Sequence, residues 1–137
     1  MTIWVSTTSR MERNLLSPAL RRECRLVVRI VSSTTGVRYR DFFAPSRKQL
    51  PTAAARQLAM YLCNVLLGMT MTQVGQFFGR DRTTVAYACA QIEDARDEGS
   101  PEDIRITALE QEIERARHSG LRFPLHPDLA GAIHVGR

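Results

Sequence analysis

Residues 69–92 read MTMTQVGQFFGRDRTTVAYACAQI, and no other stretch narrows the fold so far. Two helices joined by a tight turn fit this pattern. Val85, Ala88, Cys89 and Ile92 recur at spacings of three and four, which makes one buried stripe at 3.6 residues per turn. The same helix opens with Arg80-Asp81-Arg82-Thr83-Thr84, a dense run of hydrogen-bonding side chains. An apolar inner face and a polar first turn suit a helix whose N-terminal end enters a DNA major groove. The first helix of the pair is predicted over residues 72–78, with Val74, Phe77 and Phe78 facing inward. Gly75 lets the two helices approach closely, and Gly79 supplies a left-handed helix end. Asp81 stands where an N-cap accepts backbone N–H groups.

Three blocks carry a resemblance. They are Ala55-Arg56-Gln57-Leu58-Ala59-Met60-Tyr61-Leu62-Cys63, then Val74-Gly75, then Phe78-Gly79-Arg80-Asp81 with Thr83-Thr84-Val85. In this order and spacing they resemble the C-terminal DNA-binding domain of the bacterial replication initiator DnaA, over roughly residues 17–97. The resemblance implies an all-helical domain that binds short duplex sites. Two departures fall in the turn. The family usually has Gly-Gly-Arg-Asp-His-Thr-Thr where this chain has Phe78-Gly79-Arg80-Asp81-Arg82-Thr83-Thr84. One glycine is absent, and Arg82 takes the histidine position, so the preferred site is open to change.

Charge is distributed unevenly. Residues 1–82 hold 13 Lys and Arg against 4 Asp and Glu, whereas residues 83–137 hold 6 against 10. The basic half carries the turn, which implies a polyanionic partner. Cys24, Cys63 and Cys89 are far apart, odd in number and set on apolar faces. They read as small core residues of a reducing compartment rather than a disulfide or zinc framework. No apolar run reaches the roughly 20 residues that span a bilayer, and no secretory h-region opens the chain. The expectation is a cytoplasmic, nucleoid-associated protein with no membrane contact and no small-molecule substrate.

The expected fold is all-α, a compact helical bundle containing a helix-turn-helix plus an additional C-terminal helix. Residues 1–16 read as a flexible leader in which Trp4 either docks or stays free. Ser17-Pro18 is an N-cap followed by proline at the first helical position. Leu20, Cys24, Val27, Val28 and Val31 follow at helical offsets, with Arg21, Arg22, Arg25 and Arg29 opposite, and Gly36 ends the helix. A short helix is predicted over 37–43, anchored by Phe42 and Phe43. Residues 44–51 form a loop holding Arg47 and Lys48. The resemblance implies that one basic residue of this loop enters the minor groove, where negative potential concentrates; which of the two is open. Thr52 is expected to cap a helix over 53–67, with Ala55, Leu58, Leu62 and Val65 as its stripe and Gly68 closing it. The resemblance makes Arg56 a phosphate contact near that helix N-terminus, where backbone N–H groups also favour an anion. Beyond Ile92 the helix turns acidic, which belongs away from DNA. Residues 101–117 read as the extra helix with stripe Ile106, Leu109 and Ile113, packing on the core, on a protein partner or on another copy. Residues 118–137 read as a mobile tail, and His118, His126 and His134 lack neighbouring ligands for a metal.

At DNA, Arg82 can bond bidentately to guanine O6 and N7, Asp81 can accept from cytosine or orient an arginine, and Thr83 can meet a base or a thymine methyl. Arg47, Lys48, Arg56, Arg80, Thr84 and Tyr87 are the expected backbone or minor-groove contacts, which set register without reading sequence. For Asp81 and Thr84, helix capping is the competing role. No phosphate-binding G-x-x-x-x-G-K-[ST] loop, nucleophile–base constellation or metal cluster occurs, so neither catalysis nor a cofactor is expected. The expected function is site-specific binding of double-stranded DNA, as a transcriptional regulator or at a replication origin.

Overall fold

A computed structural model describes residues 16–45 and 50–119. Among them are five α-helices and one 3-10 helix: α1 (Pro18–Thr35), the 3-10 helix (Tyr39–Phe43), α2 (Leu50–Leu66), α3 (Met71–Phe78), α4 (Arg82–Ala95) and α5 (Pro101–His118). No strand occurs among the described residues. The expected all-α bundle with a helix-turn-helix and an added C-terminal helix is the architecture observed.

The helix ends follow local chemistry. Ser17 caps α1 through its hydroxyl, which accepts from the Leu20 N–H at 3.1 Å. Thr70 and Gln73 form a capping box at α3, each side chain accepting from the other's backbone N–H. Ser100 caps α5 by accepting from Asp103 N at 3.1 Å, with Pro101 in the first turn. Each such cap is worth about 1 kcal/mol. At α2 the expectation needs correcting. The helix already includes Leu50 and Pro51, so Thr52 lies inside the first turn and is not the cap.

α2 is the central element. Ala55, Leu58, Ala59, Met60, Tyr61, Leu62 and Cys63 are all buried, so its middle is enclosed on every side. α1, α5, the 3-10 helix, α3 and α4 all pack on it. The predicted stripe ends early, since Val65 is 46% exposed. The stripe on α4 is buried as expected, that on α1 is buried from Cys24 to Val31 with Leu20 half-buried, and Ile106, Leu109 and Ile113 carry α5 onto this same core. The apolar face of α5 is therefore used inside the molecule. Leu16, assigned to the leader, is buried as well. Cys24, Cys63 and Cys89 are free and buried, with Cys24 Sγ 3.3 Å from Met69 Sδ.

Candidate nucleic-acid interface

α3 and α4 pack on each other across a turn of three residues, Gly79 to Asp81. Gly79 adopts φ 70°, ψ 39°, the left-handed conformation that costs other residues a Cβ clash. The Arg80 N–H donates to Gly75 O at 2.8 Å, which folds the chain back over α3. A Cβ on Gly75 would collide with the Arg80 carbonyl oxygen. Gly75 thus admits the backbone of the turn itself, a closer requirement than helix-to-helix spacing.

Phe78 stands where the resembling family usually has the first glycine. It is 1% exposed, stacks on Phe43 at 5.5 Å and meets Phe77 edge-on at 5.1 Å. Phe43 also meets Phe77 edge-on at 5.4 Å and lies 5.2 Å from Tyr39. The altered turn residue is therefore an aromatic anchor between the 3-10 helix and the helix-turn-helix.

Val85, Ala88, Cys89 and Ile92 pin α4 to the core. Asp81, Arg82, Thr83, Thr84 and Tyr87 are all exposed on its outer side, with Tyr87 60% accessible. An open groove of about 440 Å³ runs along the turn, lined by Thr72, Gln76, Arg80, Asp81 and Arg82. Asp81 holds the N-cap position at φ −67°, ψ 151°, but its carboxylate makes no capping bond. The capping role expected for it is not made. Its oxygens are left for a ligand or for an arginine turning towards it.

Two arginines differ from the exposed clamps expected of them. Arg80 is spent on its own backbone: Nη2 donates to Ala44 O at 2.7 Å, and Nη1 to Phe78 O at 3.1 Å and Gly79 O at 3.4 Å. It ties the end of the 3-10 segment to the turn. Arg56 is only 7% exposed, with Nε donating to Phe42 O at 3.1 Å and Nη2 buried without a partner. Burial, and after it the nearby positive Arg80, pulls the Arg56 guanidinium below its ordinary value. Desolvation and a like charge both disfavour the cation. Side-chain burial of this kind was not legible in the sequence, because it depends on where Phe42 and Ala44 come to rest. Arg47 and Lys48 lie outside the described residues, as do Trp4, His126 and His134.

Sequence reasoning also missed Arg96. It ends α4 and reaches α5 and α2, with Nε on Asp103 at 2.8 Å, Nη1 on Glu110 at 2.8 Å and Tyr61 Oη at 3.1 Å, and Nη2 on Thr107 at 2.8 Å. These partners raise its pKa, the Glu110 bond first. Its position beyond the last buried residue of α4 was the available signal.

Among the described residues no helix is long and apolar enough to cross a membrane, and no group of three or more metal-ligating side chains occurs. Comparison with known proteins agrees with the geometry. The family described as "Bacterial dnaA protein helix-turn-helix" matches residues 24–92. The chromosomal replication initiator protein DnaA of Clavibacter sepedonicus is 38% identical over 81 residues, covering 58% of this chain and 17% of that protein. The protein of that name from Leifsonia xyli is 40% identical over 76 residues, 55% of this chain and 16% of the relative. That of Mycobacteroides abscessus is 52% identical over 40 residues, 29% of this chain and 8% of the relative. The chain thus spans about a sixth or less of these relatives' length. Half of its residues match one helix-turn-helix family, and those residues fold as a bundle that presents the turn. The chain belongs to the bacterial DnaA helix-turn-helix family.

Proposed function

We propose that this protein binds double-stranded DNA sequence-specifically, laying the N-terminal turn of α4 in the major groove, and acts as a transcriptional regulator. The observation that carries the binding is the exposure of Arg82 and Thr83 on a helix anchored by its opposite side. The core needs neither residue, and neither side chain makes a hydrogen bond or ion pair with a described residue. Arg82 supplies a bidentate contact to guanine, Thr83 and Asp81 adjust the neighbouring base steps, and Thr84 and Tyr87 meet the backbone. Arg47 and Lys48 are proposed for the minor groove. Arg80 positions the segment that leads into their loop, and Arg56 adds a fixed positive field beside it.

The transcriptional role asks for no more than what the exposed turn of α4 offers, site-specific duplex binding. A second reading, binding at a replication origin, is favoured by the name shared by the relatives, chromosomal replication initiator protein. No enzymatic activity or cofactor belongs to either reading.

Selection of bound duplexes from a random pool gives the site, and a salt titration tests the mode. Log affinity should fall linearly with log salt, with a slope of roughly −0.9 per phosphate neutralised. A flat response, or no duplex binding at low salt, overturns the proposal. Mapping bound sites across the genome then separates the roles: promoters support regulation, and clusters at the origin support replication.

A further inference from the structure

The recognition turn does not account for the arginines of α1. Arg21, Arg25 and Arg29 lie four residues apart, and Arg22 is beside them, so all four fall within an arc of about 100°. None makes an ion pair with a described residue. The opposite flank of α1 is used differently. There Ile30 is buried and Glu23 receives Arg117 from α5 at 3.4 Å.

This placement is unfavourable for the free protein. Like charges at a spacing of four repel, by roughly 0.2–0.5 kcal/mol per pair. Arg21 and Arg22 also sit near the positive end of the helix dipole, and the first turn of α1 holds no acidic residue. The solvated face of α5 is built in the opposite way. It interleaves signs, pairing Arg105 with Glu102 at 2.6 Å, and the helix places acids first and bases last. A face kept only for solubility would resemble α5. The α1 face is complementary to an external polyanion.

One end of the row is linked by side-chain packing to the helix-turn-helix. Arg29 Cζ lies 4.6 Å from the centre of the Tyr39 ring. Tyr39 leads through Phe43 to Phe77, and the end of the same 3-10 segment is held by Arg80. From Arg29 the row runs back to Arg21 along about 12 Å of helix, the rise of three to four base pairs.

We propose that the arginine face of α1 is a second, sequence-independent contact to the same duplex, neutralising phosphates that flank the site read by α4. This rests on the duplex-binding reading above. It makes the footprint longer than the recognised sequence, and it gives affinity without specificity.

Two duplexes test it, both carrying the selected site. One is of about 12 base pairs, little more than a helical turn, and the other is extended by about 6 base pairs at each end. The full chain should bind the longer duplex more tightly. The triple variant Arg21→Gln, Arg22→Gln, Arg25→Gln should bind the short duplex within about twofold of the parent. On the long duplex it should lose roughly tenfold, with a salt slope shallower by two to three, near 0.9 per arginine removed. Replacing the same three residues by lysine should restore the slope, because a point charge suffices for phosphate. Arg22→Gln alone, the mildest change, should remove about one unit of slope and keeps the test open if the triple variant does not fold. Unchanged binding to both duplexes overturns the proposal and leaves duplex recognition by α4 intact. Equal loss on both, at unaltered melting temperature, also overturns it, placing these arginines within the core footprint. Failure of the parent to bind either duplex overturns both readings together.

Discussion

Arg82 is the residue on which base recognition turns. It is exposed, unpaired among the described residues and set at the first position of α4. Arg82→Ala should weaken the selected site by about 1–3 kcal/mol, the worth of one bidentate pair, and random duplex by much less. Competition binding with both duplexes checks this; equal loss on both would make Arg82 a phosphate contact. The cysteines make a contrasting residue-scale case. Burial pushes the Cys89 thiol up, and a hydrogen bond with Cys24 together with burial pushes Cys63 well up. Thiolate is the reactive form. All three cysteines are buried, so a thiol-reactive dye should leave them unmodified in the native protein and label them on unfolding. Rapid native labelling would mean that the core opens readily.

Between α3 and α4 the turn is held by a few atoms that have no room to move. Gly75→Ala gains helix propensity of up to about 1 kcal/mol. It also sets a methyl group against the Arg80 carbonyl, which is backbone and cannot swing aside. Overpacking of this kind costs about 1–3 kcal/mol and should outweigh the gain. The variant should melt lower and bind duplex poorly, because relief requires the turn to shift; thermal unfolding and duplex titration measure the two effects. Arg80→Met removes three donations to carbonyls, one of them at 2.7 Å to Ala44. Those carbonyls can return to water, so a net loss of about 1–2 kcal/mol is expected rather than the full bond strength. Hydrogen exchange should rise at the 3-10 helix and the turn together, since Arg80 is what joins them.

At the scale of the whole molecule, Arg96 locks the acidic end of α4 to α5 and α2. The Arg96 bond, and after it the Gly99 N–H, holds the Asp103 carboxyl below its ordinary value. A carboxylate depressed in the folded state adds stability above its unfolded pKa and loses it as pH falls through the folded one. The parent should thus lose stability progressively below about pH 4, and Asp103→Asn should lose less across that window. Arg96→Met should lower the melting temperature by several degrees at neutral pH and remove most of that difference, since the cation is the shared partner. Coincident acid profiles for parent and Asp103→Asn would mean that the clip contributes nothing measurable.

Periodicity and end chemistry determined a good deal without coordinates: five helices near their observed bounds, the cap at Ser17, the left-handed helix end at Gly79, and the outward face of α4. These are local properties, written in offsets of three and four and in residues with special backbone freedom. Only the tertiary structure decided the fate of Arg56, Arg80 and Arg96. An arginine reads the same in sequence whether its guanidinium meets water, phosphate or a carbonyl. Which of these it meets depends on distant segments: Phe42 for Arg56, Ala44 for Arg80, Asp103 and Glu110 for Arg96. The α5 stripe was open for the same reason, because an amphipathic face specifies that it must be covered but not by what. Packing around α2 settled it, and left Arg21, Arg22, Arg25 and Arg29 of α1 without an ion pair among the described residues.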